Sequence, residues 1–198
     1  MKLDIQLFGG RGASSSKRTK TNKASGGLTD SEKEAIFDYT TSRYQSINES
    51  LRSGGSGNTK EDKEIVKELD KAINKSELKN GATLYRGSSV ESVGLEKHVR
   101  NLTTQDVKSL VGKEITNKAY TSTTTSKQVS ERFSGRSEKY DGTVNWVITA
   151  KGRKKGLDVG KNSNFGDKEK EVILPRNAKL KITKATKRAG TLTVYAEY

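Results

Sequence analysis

Cysteine is absent from the 198 residues, and histidine, proline, tryptophan and methionine each occur once. Without cysteine there is neither a disulfide framework nor a thiolate zinc site. One histidine, His98, cannot form a histidine metal site alone. No nucleophile elbow accompanies it to complete a Ser-His-Asp hydrolase, so it reads as a surface residue in a polar helix-loop. No apolar run approaches the roughly 20 residues of a membrane span. The start is no secretory signal either, because Asp4 and Gln6 break its short apolar stretch and no small-residue cleavage site follows.

Hydrophobic residues make up 30% of the chain and charged residues 31%. That is a lean core for a single domain, with some of the chain left over as loop or tail. The net charge of +14 raises the question of a polyanionic partner. The charge is spread rather than gathered into a binding arm: residues 1–27 hold six basic side chains against one acidic. In the densest cluster, Lys151, Arg153, Lys154, Lys155 and Lys161, each side chain reads as part of a solvated loop, while the patch as a whole could attract an anionic cofactor or an acidic target; a nucleic-acid partner is not expected.

Residues 1–27 divide into a short alternating stretch to Phe8 and a basic Gly/Ser/Thr-rich tail with linker composition. A folded domain is expected over 28–198. Thr29 or Asp30 can cap a helix on which Ile36, Tyr39, Tyr44, Ile47 and Leu51 recur near helical spacing. Gly54-Gly55-Ser56-Gly57 interrupts the pattern, and Thr59 then caps a second helix carrying Ile65, Leu69, Ala72 and Ile73. From Gly81 the pattern turns to strands: Thr83–Arg86, then 113–124, 143–149, 172–174, 179–185 and 191–198. Short helices are expected at 103–111 and 126–133. Helices first and strands later favour an α+β domain over alternating βαβ units.

Three segments carry chemistry. In Leu84-Tyr85-Arg86-Gly87, the Arg86 guanidinium is a rigid fork of donors suited to phosphate oxygens, and Gly87 leaves room for a pyrophosphate. In Tyr120-Thr121-Ser122-Thr123-Thr124, an extended backbone puts Tyr120, Ser122 and Thr124 on one face, so two hydroxyls could orient a carboxylate. In Glu169-Lys170-Glu171-Val172-Ile173-Leu174-Pro175, an extended backbone would put Glu169 and Glu171 on one face. A fixed carboxylate stabilises positive charge at a sugar's anomeric carbon, and a second can deprotonate the attacking group. Each segment alone has an ordinary structural explanation: a strand arginine, a β-favouring threonine run, a charged sheet edge.

Together these segments resemble the arginine-serine-glutamate class of bacterial mono-ADP-ribosyltransferase exoenzymes, which includes the clostridial Rho-modifying exoenzymes and the actin-modifying subunits of binary toxins. The likeness runs from about Tyr39 to Tyr198. It includes Tyr39-Thr40, Tyr44, Ile47-Asn48 and Leu51-Arg52 as a helical lead-in, and Phe133-Ser134-Gly135-Arg136 as a second arginine segment. It also takes in the lysine-glycine turn after Ala150 and the Leu174-Pro175-Arg176 tail. Three positions depart from the pattern. Thr124 stands where the family has serine, Val159 where relatives often have proline, and Phe165 lies one position from the usual aromatic.

The resemblance implies N-terminal helices packed on two mainly antiparallel sheets, with an NAD cleft and no metal. It implies that Arg86, Gly87 and Arg136 meet the NAD phosphates, with Thr123 and Thr124 also at the cofactor. Ser122 would position Glu171, Glu171 would stabilise the ribosyl cation as nicotinamide leaves, and Glu169 would activate the acceptor. Glutamate at 169 goes with arginine acceptors in this family, so a host protein arginine is the implied target of a monomeric enzyme. The loop 160–168, with Phe165, would meet that target.

Two alternatives stay open: an NAD glycohydrolase, and an idle phage structural or nucleic-acid-binding protein on this fold. The latter is suggested by the first ten residues, which resemble the N-termini of some bacteriophage head proteins. Host cytoplasm, virion delivery and export as an exoenzyme are all compatible locations.

Overall fold

The structure, a computed structural model, describes residues 27–134 and 139–198. The tail expected over 1–27 lies, except for Gly27, outside the described residues, and so does Arg136.

Three helices come first among the described residues. α1 (Asp30–Asp38) and α3 (Lys60–Asn74) each start in a capping box, Thr29 with Glu32 and Thr59 with Asp62. Each threonine hydroxyl accepts a backbone N–H while the carboxylate accepts one in return, so two end donors are satisfied. Burial opposes ionisation of Glu32 and Asp62. Lys75 and Arg43, together with the capping N–H groups, outweigh it and leave both carboxyls below their ordinary values.

The single helix expected through Leu51 is broken. Residues Tyr39–Arg43 form a π-helical turn with non-helical backbone at Thr41, and α2 (Tyr44–Arg52) follows. The five-residue step from Tyr39 to Tyr44 is the sequence trace of this turn. An i→i+5 spacing cannot stay on one α-helical stripe, and the inserted residue restores both tyrosines to the core side.

Ten strands follow among the described residues, with two short helices, α4 (Thr104–Lys108) and α5 (Lys127–Glu131). β1 (Glu77–Leu78) and β6 (Lys154–Lys155) form a two-stranded sheet. The larger sheet comprises β2 (Thr83–Ser88), β3 (Glu114–Asn117), β4 (Thr121–Thr124), β5 (Thr143–Thr149), β7 (Leu157–Asp158), β8 (Glu171–Leu174), β9 (Ala178–Arg188) and β10 (Thr191–Glu197), in the order β3-β9-β10-β5-β2-β4-β8-β7. Every pair of these strands is antiparallel except β5–β10. The architecture is α+β with two sheets, as expected. Within the larger sheet, β2 and β4 share one registered pair, Tyr85 with Thr124, whereas β2 and β5 share six. The sheet is therefore creased between β2 and β4.

β8 is buried at all four positions. Val172 and Leu174 join the core formed with β2, β5, β9 and β10, while Ile173 joins the core under α1–α3. A strand with a hydrophobic core on each side reads as a continuous apolar run. Alternation then puts Glu171 on the Ile173 side, toward the helices that carry Tyr39.

Candidate active site

The crease brings the three sequence segments together. Arg86 Nη1, from β2, donates to the main-chain carbonyl of Ser122 on β4 at 2.8 Å. Ser122 is registered opposite Ile173, and Thr124 opposite Glu171. The Ser122 side chain acts on the Glu171 carboxyl and favours its charged form. Arg86, Ser122 and Glu171 thus lie together where β2, β4 and β8 meet.

Glu169 reaches the same place by another route. The sequence leads one to expect an extended backbone through Lys170, but Glu169 has helical dihedrals at the end of the 3-10 turn Gly166–Lys168, and Lys170 lies in the left-handed region at φ 47°. The two carboxylates therefore meet across a tight turn and not by strand alternation. A lysine at positive φ costs energy, which the surroundings must offset. Thr124 Oγ1 donates to the Glu169 carbonyl at 2.7 Å, and Thr125 N–H donates to the Lys170 carbonyl at 3.1 Å. The hydroxyl run holds the carboxylate segment by its backbone.

That arrangement sorts the three hydroxyls. Thr123 and Thr124 are fully buried. Thr123 Oγ1 donates to the Val172 carbonyl at 2.7 Å, and Thr124 Oγ1 also accepts the Ser126 N–H at 3.0 Å. Of the three, Ser122 is the one whose side chain acts on a carboxylate. Gly87 likewise has a packing role: a β-carbon there would lie 2.1 Å from the Ser130 carbonyl and 2.6 Å from Ser134 Oγ. Its missing side chain lets the end of α5 sit against β2.

The two carboxylates are 5% and 4% exposed for Glu169 and Glu171, and this sets their acidity. Burial pushes Glu171 up to about 7, with the Ser122 hydrogen bond acting against it. Burial, and then the charge of Glu171, push Glu169 up to about 8. Glu169 Oε2 is buried with no hydrogen-bond partner among the described residues. An open acceptor of this kind is a place for a donor from a bound molecule.

Two further residues of the site have no chemical role in the sequence pattern, which shows them only as part of the helical lead-in. Tyr39 is 1% exposed and accepts from Asn48 Nδ2 at 2.8 Å, and Glu171, Ser122 and Arg86 all act on the acidity of its hydroxyl. Asn48 sits on α2, with its own Oδ1 unpartnered among the described residues. The signal that could reveal them is the polar end of each side chain beside an otherwise apolar stripe. The loop 160–168 is tied to the same region, since the Asn164 N–H donates to Thr40 Oγ1 at 2.9 Å. Phe165, at its tip, is half-exposed. His98 stands apart, accepting the Asp141 N–H at Nδ1.

A family model described as ADP-ribosyltransferase exoenzyme matches residues 13–194. The chain belongs to this family. Among solved structures, it is similar to an ADP-ribosyltransferase from Clostridium botulinum, with 23% identity over 88% of each chain and a TM-score of 0.70. Plx2a, an ADP-ribosyltransferase toxin from Paenibacillus larvae, has 24% identity over 86% of each chain and a TM-score of 0.67. The ADP-ribosyltransferase Vis of Vibrio splendidus, solved with agmatine, has 26% identity over 88% of this chain and 78% of its own, with a TM-score of 0.64. Comparison with the curated proteins gives no match. Within the exoenzyme family, then, this chain keeps an arginine, a serine and two glutamates on one crease.

Proposed function

We propose that this exoenzyme-family chain transfers ADP-ribose from NAD to an arginine of a protein acceptor, releasing nicotinamide. The observation that carries the reading is the pair of buried carboxylates. The Ser122 side chain favours the charged form of Glu171, and Glu169 beside it keeps an unpartnered oxygen.

NAD is the ADP-ribose donor on this reading, and the residues present suit it. Arg86 lies half-buried on the crease, a permanent cation with a fork of donors for pyrophosphate oxygens. Glu171 hydrogen-bonds the nicotinamide ribose and stabilises the positive charge that builds on the anomeric carbon as the glycosidic C–N bond breaks, its electron pair leaving with nicotinamide. At pH 7 the free site has Glu171 only partly ionised. A cationic nicotinamide-ribosyl group beside it favours the charged form.

Glu169 orients and deprotonates the acceptor. Raised to about 8, Glu169 is largely protonated in the free site near neutrality; a cationic guanidinium beside it favours the carboxylate, whose open Oε2 then accepts an N–H. The guanidine nitrogen bonds to the anomeric carbon, and its proton passes to Glu169. Agmatine, with which Vis was solved, is itself a guanidine. The loop 160–168, with Phe165, forms the acceptor side. We assign Arg136 to the NAD phosphates on the resemblance of its segment.

The test is incubation with labelled NAD, with and without agmatine, in a lysate of candidate acceptors. Label on protein arginine, with nicotinamide released in step, supports the reading. Nicotinamide release without label makes the chain a glycohydrolase. Neither product leaves the fold idle.

A further inference from the structure

Leu174-Pro175-Arg176 belongs to the family likeness, yet the chemistry proposed above leaves Arg176 without a task. Its side chain goes to α3. Arg176 Nε donates to Asp70 Oδ1 at 3.2 Å and Nη2 donates to Asp70 Oδ2, a two-pronged pair. Tyr120 Oη donates to the same Oδ1 at 2.7 Å and lies 3.0 Å from the Val66 carbonyl, one helical turn earlier. One carboxylate therefore holds side chains from two segments far apart in the chain.

Those two segments frame the site. β4 runs antiparallel to β8 with Thr121 registered opposite Leu174, so Tyr120 and Arg176 flank the same end of the ladder. Further along it stand Ser122 and, opposite Thr124, Glu171. We propose that Asp70 is a positioning residue: by fastening the start of β4 and the end of β8 to α3, it sets where Ser122 and Glu171 stand relative to Arg86 on β2.

The ladder needs such a fastening. On its β2 side, registered pairing is confined to Tyr85 with Thr124, and Arg86 adds one bond to the Ser122 carbonyl. β2 is by contrast paired with β5 at six positions. β4, β8 and β7 can thus shift together against β2 unless the helix side holds them. Tyr120 and Ile173 do pack in the core under α1–α3, but apolar contact is non-directional. The bonds to Asp70 have direction. Asp70 and Arg176 are only partly shielded from water, so charge alone would count for little; a planar fork and a buried phenol converging on one carboxylate count for more. The Tyr120 ring also meets Tyr39 edge-on at 5.4 Å, which carries the clamp to the π-helical turn. On the proposed reaction, Arg86 and Glu171 address the pyrophosphate and the ribose of one NAD molecule. A change in their separation therefore lowers kcat.

The inference rests on the roles proposed for Arg86 and Glu171, yet its first test needs no NAD. Amide hydrogen exchange is followed by NMR in the wild type, Asp70→Asn and Asp70→Ala. Asp70→Ala should speed exchange about 10-fold or more on β4 and β8 and leave β5 and β10 within about 2-fold. Asp70→Asn keeps an oxygen for Tyr120 and should recover most of the protection. Unmoved exchange on β4 and β8, or an equal gain on all strands, overturns the proposal. If Asp70→Ala does not fold, Arg176→Lys, which keeps the charge and loses the fork, takes its place and is read in the same way.

With NAD, kcat for nicotinamide release should fall about 10-fold in Asp70→Ala while KM for NAD stays within about 3-fold, and Asp70→Asn should rescue most of the loss. Loosened strands with wild-type kcat would overturn the positioning role. If wild-type protein turns over no NAD, the function proposed above fails, while exchange still decides whether Asp70 fixes the two strands.

Discussion

Arg86 binds the main chain of Ser122, not its hydroxyl: Nη1 donates to the Ser122 carbonyl at 2.8 Å. The cation therefore ties β2 to the backbone of β4, while the Ser122 side chain acts on the acidity of Glu171. Lysine in its place would keep the charge and lose the planar fork. Arg86→Lys should raise KM for NAD about 10-fold, close to 1.4 kcal/mol of lost binding, with a smaller fall in kcat. Steady-state nicotinamide release across NAD concentrations checks it.

The two glutamates divide the work. Glu171→Gln should reduce both nicotinamide release and transfer by about 100-fold or more, as expected when a charge facing the developing cation is removed. Glu169→Gln should lose transfer to agmatine and protein while retaining hydrolysis. Equal losses of both reactions in Glu169→Gln would contradict the division.

Stability should fall as pH rises. Both carboxyls are raised in the folded protein, Glu171 to about 7 and Glu169 to about 8. The folded state holds these protons more tightly than the unfolded chain, where glutamates titrate near about 4.3. Their contribution is complete below that value and is lost as pH climbs through about 7 and about 8. The thermal midpoint without NAD should therefore be lower at about pH 8.5 than at about pH 5.5. Glu169→Gln should flatten the trend and raise the midpoint at the alkaline end.

Gly87 is a packing position. The β-carbon of Gly87→Ala would meet the Ser130 backbone at 2.1 Å, and a backbone atom cannot rotate away. Overpacking of this kind costs about 1–3 kcal/mol. Denaturant unfolding should show the loss, with α5 pushed off β2.

Thr40 fastens the acceptor-side loop. Its hydroxyl donates to the carbonyls of Ile36 and Phe37 at 2.9 and 3.1 Å and accepts the Asn164 N–H at 2.9 Å. Thr40→Val should free the loop without touching either carboxylate. Transfer to a protein acceptor should fall several-fold relative to hydrolysis, and the ratio of labelled protein to free nicotinamide measures it. An unchanged ratio would mean that the loop keeps its shape without the bond.

The elements legible in the sequence are those fixed by neighbours along the chain. The strand read at 143–149 has those bounds in the structure, because Val144, Trp146 and Ile148 alternate inward in a run of β-favouring residues. Thr29 and Thr59 mark helix starts because a cap needs only a hydroxyl and an acid three residues on. Even the order Arg86, Ser122, Glu171 could be read, since a fixed backbone presents each motif locally.

What the sequence could not supply is whatever depends on contacts between distant segments. The positive φ at Lys170 is held by Thr124 and Thr125, some 45 residues upstream. The role of Gly87 depends on where α5 docks, and the nearness of Tyr39 to Glu171 depends on the first helices packing on β8. The acidities of Glu169 and Glu171 follow from the same cause. Composition and spacing name a carboxylate, but the water it loses, and the charge it meets, are decided only when the chain closes around it.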